Sequence, residues 1–437
     1  MLRPSVLTAA ATAVLLSLQL WSAWWWPMTY DDLHLVRPYS ASELRGVWSG
    51  PWDPDRLENA GWRPLTTWFN AGRYALCGES EVKHRLLLVA LAAIFSGGLT
   101  AALGRLGIPP AIAGVGLLLA WCSRYSVYHY VWLTDGVHVL QGLAVVGMLV
   151  GLGARRALWG VGLSCMSAVV GLTIREDTAA GILSAGVLVL VMGDRPRRRG
   201  ALAFLAFGTV VTGAMLRWRS HVVPEAWDPG WDWVGYGRAV GRCVLLGGDM
   251  VPSGWLGVLV LVGVSCTVVL AVAWLGTAAR GNRVFVAVAM AVLAGATPAL
   301  TLARANVLFF GVTFGGIAVA CAVVDVWRSR ARLMVVPAIM GMALSGIASG
   351  RAVASNFAPM STTSLHWCGS FLYGPAHGRG ATITPKRWRR TDRILGSVGI
   401  RSADDLPRLE SLQAEALAAD RRWPVGNQVF VPLLTPW

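Results

Sequence analysis

Residues 5–26 read SVLTAAATAVLLSLQLWSAWWW, and residues 27–34 continue PMTYDDLH. The first of these stretches has 22 residues and no charge, and about 20 apolar residues suffice to cross roughly 30 Å of hydrocarbon. A secretory signal has a shorter apolar core of roughly 7–15 residues and a small-residue cleavage site. This run instead ends in Trp24-Trp25-Trp26. It reads as a retained first transmembrane helix with an aromatic belt at its exit.

Composition extends that reading to the whole chain. Of 437 residues, 55% are hydrophobic and 14% charged, with a mean hydropathy of +0.54, whereas a soluble domain carries about 25% charged residues. The net charge of +15 comes from 36 Arg and two Lys, Lys83 and Lys386. Most of these cations punctuate apolar runs and form no basic face, which argues against a nucleic-acid partner. Fifty Gly and 22 Trp suit membrane helices and their interfaces. Seven Cys form no CxxC pair, so no zinc or redox framework is indicated. Cys122, Cys165, Cys266 and Cys321 sit in apolar runs as small hydrophobes, while Cys77, Cys243 and Cys368 are read as loop residues, any two of which can pair in an oxidising compartment.

Apolar runs bounded by charges give an all-α polytopic membrane protein with about eleven transmembrane helices. Their expected limits are 5–26, 86–104, 106–123, 136–154, 157–174, 178–193, 201–216, 252–279, 284–303, 307–324 and 333–350. Pro109-Pro110 opens or kinks the third. With the N-terminus in the cytoplasm, the short inner loops carry Arg105, Arg155, Arg156, Arg195, Arg197, Arg198, Arg199, Arg280, Arg283, Arg328, Arg330 and Arg332; the short outer loops carry only Arg124, Arg175 and Arg304. That bias satisfies the positive-inside rule. The expected organisation is a membrane domain over 1–350, with long outer loops at 27–85 and 217–251, and a small extracytoplasmic segment over 351–437. In that segment Asp404 or Asp405 can cap a short helix, and Lys386–Arg390 reads as a solvated basic turn.

Charge next to hydrocarbon is costly, so the polar groups at helix ends carry the functional reading. Asp31 and Asp32 stand just beyond the first helix. Two adjacent carboxylates at that depth can serve as a general base or bind a divalent cation; a solvated turn is the plain alternative. The 27–85 loop contains a capping-box pattern at Ser40-Ala41-Ser42-Glu43, interfacial Trp48, Trp52, Trp62 and Trp68, the element Trp62-Arg63-Pro64-Leu65, and Glu81-Val82-Lys83-His84-Arg85 before the second span. Asp135 and His138 mark the outer end of the fourth span, where a capping Asp is the simpler role. Arg175-Glu176-Asp177 marks the outer end of the fifth, and Arg304 that of the ninth.

The order of these elements resembles the GT-C superfamily of integral-membrane glycosyltransferases: a first helix, an acidic pair, an Arg-Pro-Leu element, a His entering the second helix, and later Arg175-Glu176-Asp177 and Arg304. The resemblance is strongest to the branch of protein O-mannosyltransferase-like bacterial enzymes. It implies a polyprenyl-phosphate-linked sugar as donor and a glycan, lipid or protein hydroxyl as acceptor, at the outer face of the cell membrane. It also implies Asp31, or failing that Asp32, as the base, inversion at the anomeric carbon, and Arg63, His84, Arg175, Glu176 and Arg304 as groups around donor phosphate and substrate. A divalent cation is the one candidate cofactor. A transporter or flippase of lipid-linked glycans and a non-catalytic scaffold are the competing readings. No internal half-to-half symmetry of the kind transporters show is visible.

Overall fold

The computed structural model describes residues 3–20, 24, 32, 35–54, 61–131, 133–154, 157–222, 232–246, 250–252, 283–300, 308–327, 337, 340–341, 344, 401–405, 407–408 and 430–432. Asp31, Arg304, Lys386–Arg390, Cys266, Cys368 and the spans expected at 252–279 and most of 333–350 lie outside them.

The described chain is helical apart from one short antiparallel pairing. Its helices are α1 (Pro4–Gln19), α2 (Ala41–Gly46), α3 (Pro64–Cys77), α4 (Glu81–Arg105), α5 (Pro110–Cys122), α6 (Arg124–Val131) and α7 (Val137–Leu152). They continue as α8 (Ala157–Ile174), α9 (Thr178–Met192), α10 (Arg195–Val222), α11 (Trp233–Leu245), α12 (Arg283–Gly295) and α13 (Phe309–Trp327). A 3-10 turn, Thr134–Gly136, leads into α7. Strand β1 (Met250–Pro252) pairs with β2 (Phe430–Pro432), joining the end of the second long loop to the C-terminal segment. Apart from that short pairing, the described chain is all-helical, as expected.

Three helical stretches are long and apolar enough to cross a membrane: Glu81–Arg105, Thr134–Leu152 and Arg195–Val222. Six shorter apolar helices coincide with other expected spans: Pro4–Gln19, Pro110–Cys122, Trp159–Ile174, Thr178–Met192, Val286–Gly295 and Phe309–Val324. Local chemistry sets many of their ends. Pro4, Pro64 and Pro110 occupy first-turn positions where no amide hydrogen is needed. Ser80 caps α4 through the Lys83 amide, and Ser40 forms the expected capping box with Glu43 on α2.

The second long loop is more structured than its composition suggests. The segment taken as a loop over 217–251 begins with the last turns of α10, which runs on to Val222, and also contains α11. Cys77 and Cys243, expected in loops, are helical, and both are free thiols. Cys243 is fully buried on the α11 face that meets α13 at Gly311 and Gly315, so it packs where a pairing loop cysteine was expected.

The helices close into a circuit of neighbours: α1 packs on α4, α4 on α7, α7 on α8, α8 on α10, α10 on α9, α9 on α12, α12 on α13, α13 on α5, and α5 back on α1. Contact between α7 and α9 fills the middle. An aromatic core of Phe95, Trp121, Tyr130, Phe309 and Phe310 lies inside, with the Trp121 indole donating to Ser96 Oγ at 2.8 Å. Outward faces stay apolar: Val14 is 60% exposed, Met166 65%, Val210 71% and Trp159 80%. Apolar surface on this scale is what a lipid-facing bundle presents.

Close approach of α5 and α13 depends on glycine. A Cβ at Gly116 would lie 2.5 Å from Ile317 Cα, and one at Gly316 would strike the Gly116 carbonyl. Small residues let helix backbones meet in this way. Gly116→Val is expected to cost about 3 kcal/mol, the cost of overpacking a contact that has no room to yield. Gly213→Ala, at a position open to 4 Å, should be neutral or slightly stabilising. Reversible unfolding in mixed micelles measures both.

Candidate functional site

The site lies where one end of several helices meets: the starts of α7 and α9, the ends of α8 and α10, and α3 from the first long loop. Thr66, in the first turn of α3, donates to the Ile174 carbonyl at the end of α8 at 2.6 Å. This bond brings the Arg63-Pro64 element against the Arg175-Glu176-Asp177 turn.

Arg63 then makes a two-pronged contact with Glu176. Its Nε and Nη2 donate to the two carboxylate oxygens at 2.9 and 2.6 Å. Arg219, near the end of α10, adds a second cation at 3.1 Å from Glu176 Oε1. Trp52 lies beneath the Arg63 guanidinium, 5.5 Å from it. The resemblance placed Arg63, Arg175 and Glu176 together around donor phosphate and substrate. The structure gives Glu176 to Arg63 and Arg219. The reason is helix register, since α10 extends far enough to deliver Arg219.

Arg175 turns the other way, into the bundle. Its Nε lies 3.3 Å from Asp177 Oδ2, its Nη1 is 3.8 Å from Asp135 Oδ1, and Nη1 donates to His138 Nε2 at 3.0 Å. Gln141, one turn further along α7, donates to the Asp177 carboxylate and to Thr178 Oγ1 at 2.8 Å. His129 on α6 stands against His138, ring centroids 4.6 Å apart, with Phe309 closing over it at 4.9 Å. Neither nitrogen of His129 has a hydrogen-bond partner among the described residues, although the Asp135 main chain lies near it. Burial, reinforced by the Arg175 charge, pushes the His129 pKa down to about 3.

Asp32 has a different position from the one its motif suggests. It is 1% exposed, and its carboxylate accepts the Thr134 amide at 2.7 Å and the Leu133 amide at 3.4 Å. It therefore caps the turn that enters α7, the role the sequence assigned to Asp135. Asp135 points instead to Arg175 and His138. The Thr134 amide that it accepts belongs to the residue next to Asp135, so Asp32 comes close to the cluster in space although 102 positions separate it from Thr134 along the chain. His84 is fully buried and bonds the Gly78 carbonyl at 2.9 Å, closing the turn between α3 and α4, so it joins neither charged group.

Between α8 and α10 lies a small surface crevice of about 10 Å³, room for about one water molecule, lined by Trp62, Leu172, Thr212, Met215 and Leu216 together with Glu176 and Arg219. Apolar side chains and an ionic group thus stand side by side at this surface. Sequence reading missed Arg219, Gln141 and His129. Gln141 had a signal, being an uncharged polar residue inside an otherwise apolar helix; His129 and Arg219 had none beyond their residue type.

The paired carboxylates set an acid limit. Burial opposes ionisation of Glu176, but the Arg63 and Arg219 charges outweigh it and hold the carboxyl well below the usual range. At Glu43 burial is likewise outweighed, by hydrogen bonds from Arg37 and Ser40, leaving a pKa of about 2 against an ordinary 4.5. A carboxyl lowered in the folded state stabilises fully above its unfolded pKa and loses that contribution as pH falls towards the folded value. Asp177 runs oppositely, raised chiefly by burial, and offsets a part. Stability is therefore expected to fall between about pH 4.5 and 2, and Glu43→Gln should flatten that decline in a pH series of unfolding midpoints.

Comparison of the chain with protein-family models, with curated proteins and with solved structures finds no significant match.

Proposed function

We propose that the chain is a multi-pass membrane glycosyltransferase that moves a sugar from a polyprenyl-phosphate carrier to an acceptor hydroxyl at the outer face of the cell membrane. The observation that carries this reading is the convergence of Arg63 and Arg219 on Glu176 beside the apolar side chains of Leu172, Met215 and Leu216. A lipid phosphate has the same two-part character. The prenyl chain lies along Leu172, Met215 and Leu216, and the phosphate takes the arginines, whose planar forks suit its oxygens. Glu176 holds the guanidiniums in place until the donor arrives.

The chemistry needs two things. The leaving phosphate gathers negative charge, which fixed cations stabilise in a site shielded from water. The acceptor hydroxyl must lose its proton to a base within hydrogen-bond reach. Asp32 is engaged as a cap, so Asp31 is the base in this proposal, attacking geometry being direct and inverting. Arg304 assists at the phosphate. The β1–β2 pairing is in keeping with the C-terminal segment lying on the same side as the second long loop. The divalent cation considered for Asp31 and Asp32 has no part in this scheme.

The test is a reconstituted assay of the full chain in vesicles with labelled polyprenyl-phosphate sugars. The expected result is release of polyprenyl phosphate with label passing to an acceptor, and a raised KM for Arg219→Gln. Passage of the intact donor across the bilayer without bond cleavage would establish the flippase reading in its place.

A further inference from the structure

The His129, Asp135 and His138 cluster is separate from that crevice and has no part in the proposed transfer. Its three potential ligand atoms lie within 4.8 Å of one another, and all three residues are buried. His129 and His138 have no solvent exposure. Both ring nitrogens of His129 and Nδ1 of His138 lack a hydrogen bond of good geometry among the described residues; the Asp135 main chain lies near His129, and Asp177 Oδ2 stands 3.6 Å from His138 Nδ1. An imidazole buried without such a bond loses its water without replacement, an arrangement that costs free energy unless something else binds the nitrogen.

We infer that His129, Asp135 and His138 bind a first-row transition-metal dication, zinc foremost, bridging α6 to the entry of α7. Two imidazoles and one carboxylate suit zinc or iron(II), whereas magnesium and calcium take oxygen-only shells. Tetrahedral zinc at about 2.0–2.1 Å from each nitrogen spaces its ligands about 3.3 Å apart, so ring rotation has only a short distance to close. Three protein ligands leave a fourth position for water. About a tenth of the Asp135 side chain reaches solvent and marks the entry route.

Arg175 is the competitor. Its guanidinium donates to His138 Nε2 and faces Asp135, the ground a metal would take. Binding displaces it towards Asp177, which already lies 3.3 Å from its Nε. Metal affinity should thus rise when Arg175 is removed, the opposite of what loss of a merely structural contact would do.

The experiment uses the full chain without a polyhistidine tag, in lipid nanodiscs, stripped with a chelator and titrated with Zn²⁺ alone. One equivalent bound, with X-ray absorption showing two imidazole nitrogens at about 2.0 Å, is the expected result. Asp135→Asn and His129→Ala should each weaken binding by about 100-fold and Arg175→Gln should strengthen it about tenfold. Monodispersity and helical circular dichroism are read on every variant. The inference is overturned if folded wild type binds no stoichiometric zinc, or if His129→Ala binds zinc with unchanged affinity and an unchanged absorption spectrum. The wild-type measurement decides the matter even where a variant fails to fold.

Discussion

Glu176→Leu should destabilise the folded chain by about 3 kcal/mol, because it leaves two guanidiniums facing an apolar side chain. Arg63 and Glu176 keep 17% and 18% of their side chains in contact with solvent, which places the effect at the low end of the range for breaking a buried pair. The change removes the 2.9 and 2.6 Å bonds to Arg63 and the 3.1 Å contact to Arg219 together. It also frees the first long loop from the α8–α9 turn, leaving Thr66 to Ile174 as one of the remaining ties. Reversible unfolding in mixed micelles gives the magnitude. The double variant Arg63→Met/Glu176→Leu should regain at least half, since removing both charges leaves fewer uncompensated ions. Equal destabilisation in the single and double variants would mean that the pair contributes packing alone.

What could be read in the sequence follows from how far each signal reaches along the chain. Helix ends at Pro64, Pro110, Ser40 and Ser80 are written in neighbouring residues, and they appear where proline and capping chemistry put them. The apolar runs gave nine helices among the described residues by the same local logic. Pairings across the fold are of another kind. Arg63 meets Glu176 across 113 positions and Asp32 meets Thr134 across 102. Each contact depends on how far a helix extends and which face it turns, and neither is encoded beside the residue concerned. Asp135 illustrates the difference. Its neighbours suggest a cap, yet Asp32 reaches those amides first and leaves Asp135 to Arg175 and His138. Arg219 was hidden because the apolar window ended before α10 did.

The functional reading separates the two adjacent carboxylates. Asp32 is buried and occupied by main-chain amides, so Asp32→Asn retains an acceptor for the cap and should keep turnover within about threefold, at a stability cost of about 1 kcal/mol. Asp31→Asn removes the proposed base. A positioned general base contributes about 10²–10⁴ in rate, so the variant should lose at least about 100-fold in kcat with little change in donor KM. An effect confined to kcat distinguishes loss of proton transfer from loss of donor binding.

The central claim, that a carboxylate just past the first helix activates an acceptor towards a lipid-borne sugar, is tested most directly by measuring kcat for wild type, Asp31→Asn and Asp32→Asn side by side. The vesicle assay with labelled polyprenyl-phosphate sugars serves for all three, each verified as monodisperse and helical. The account predicts a loss of at least about 100-fold for Asp31→Asn and near-normal turnover for Asp32→Asn. Undiminished transfer by the Asp31→Asn protein would contradict it.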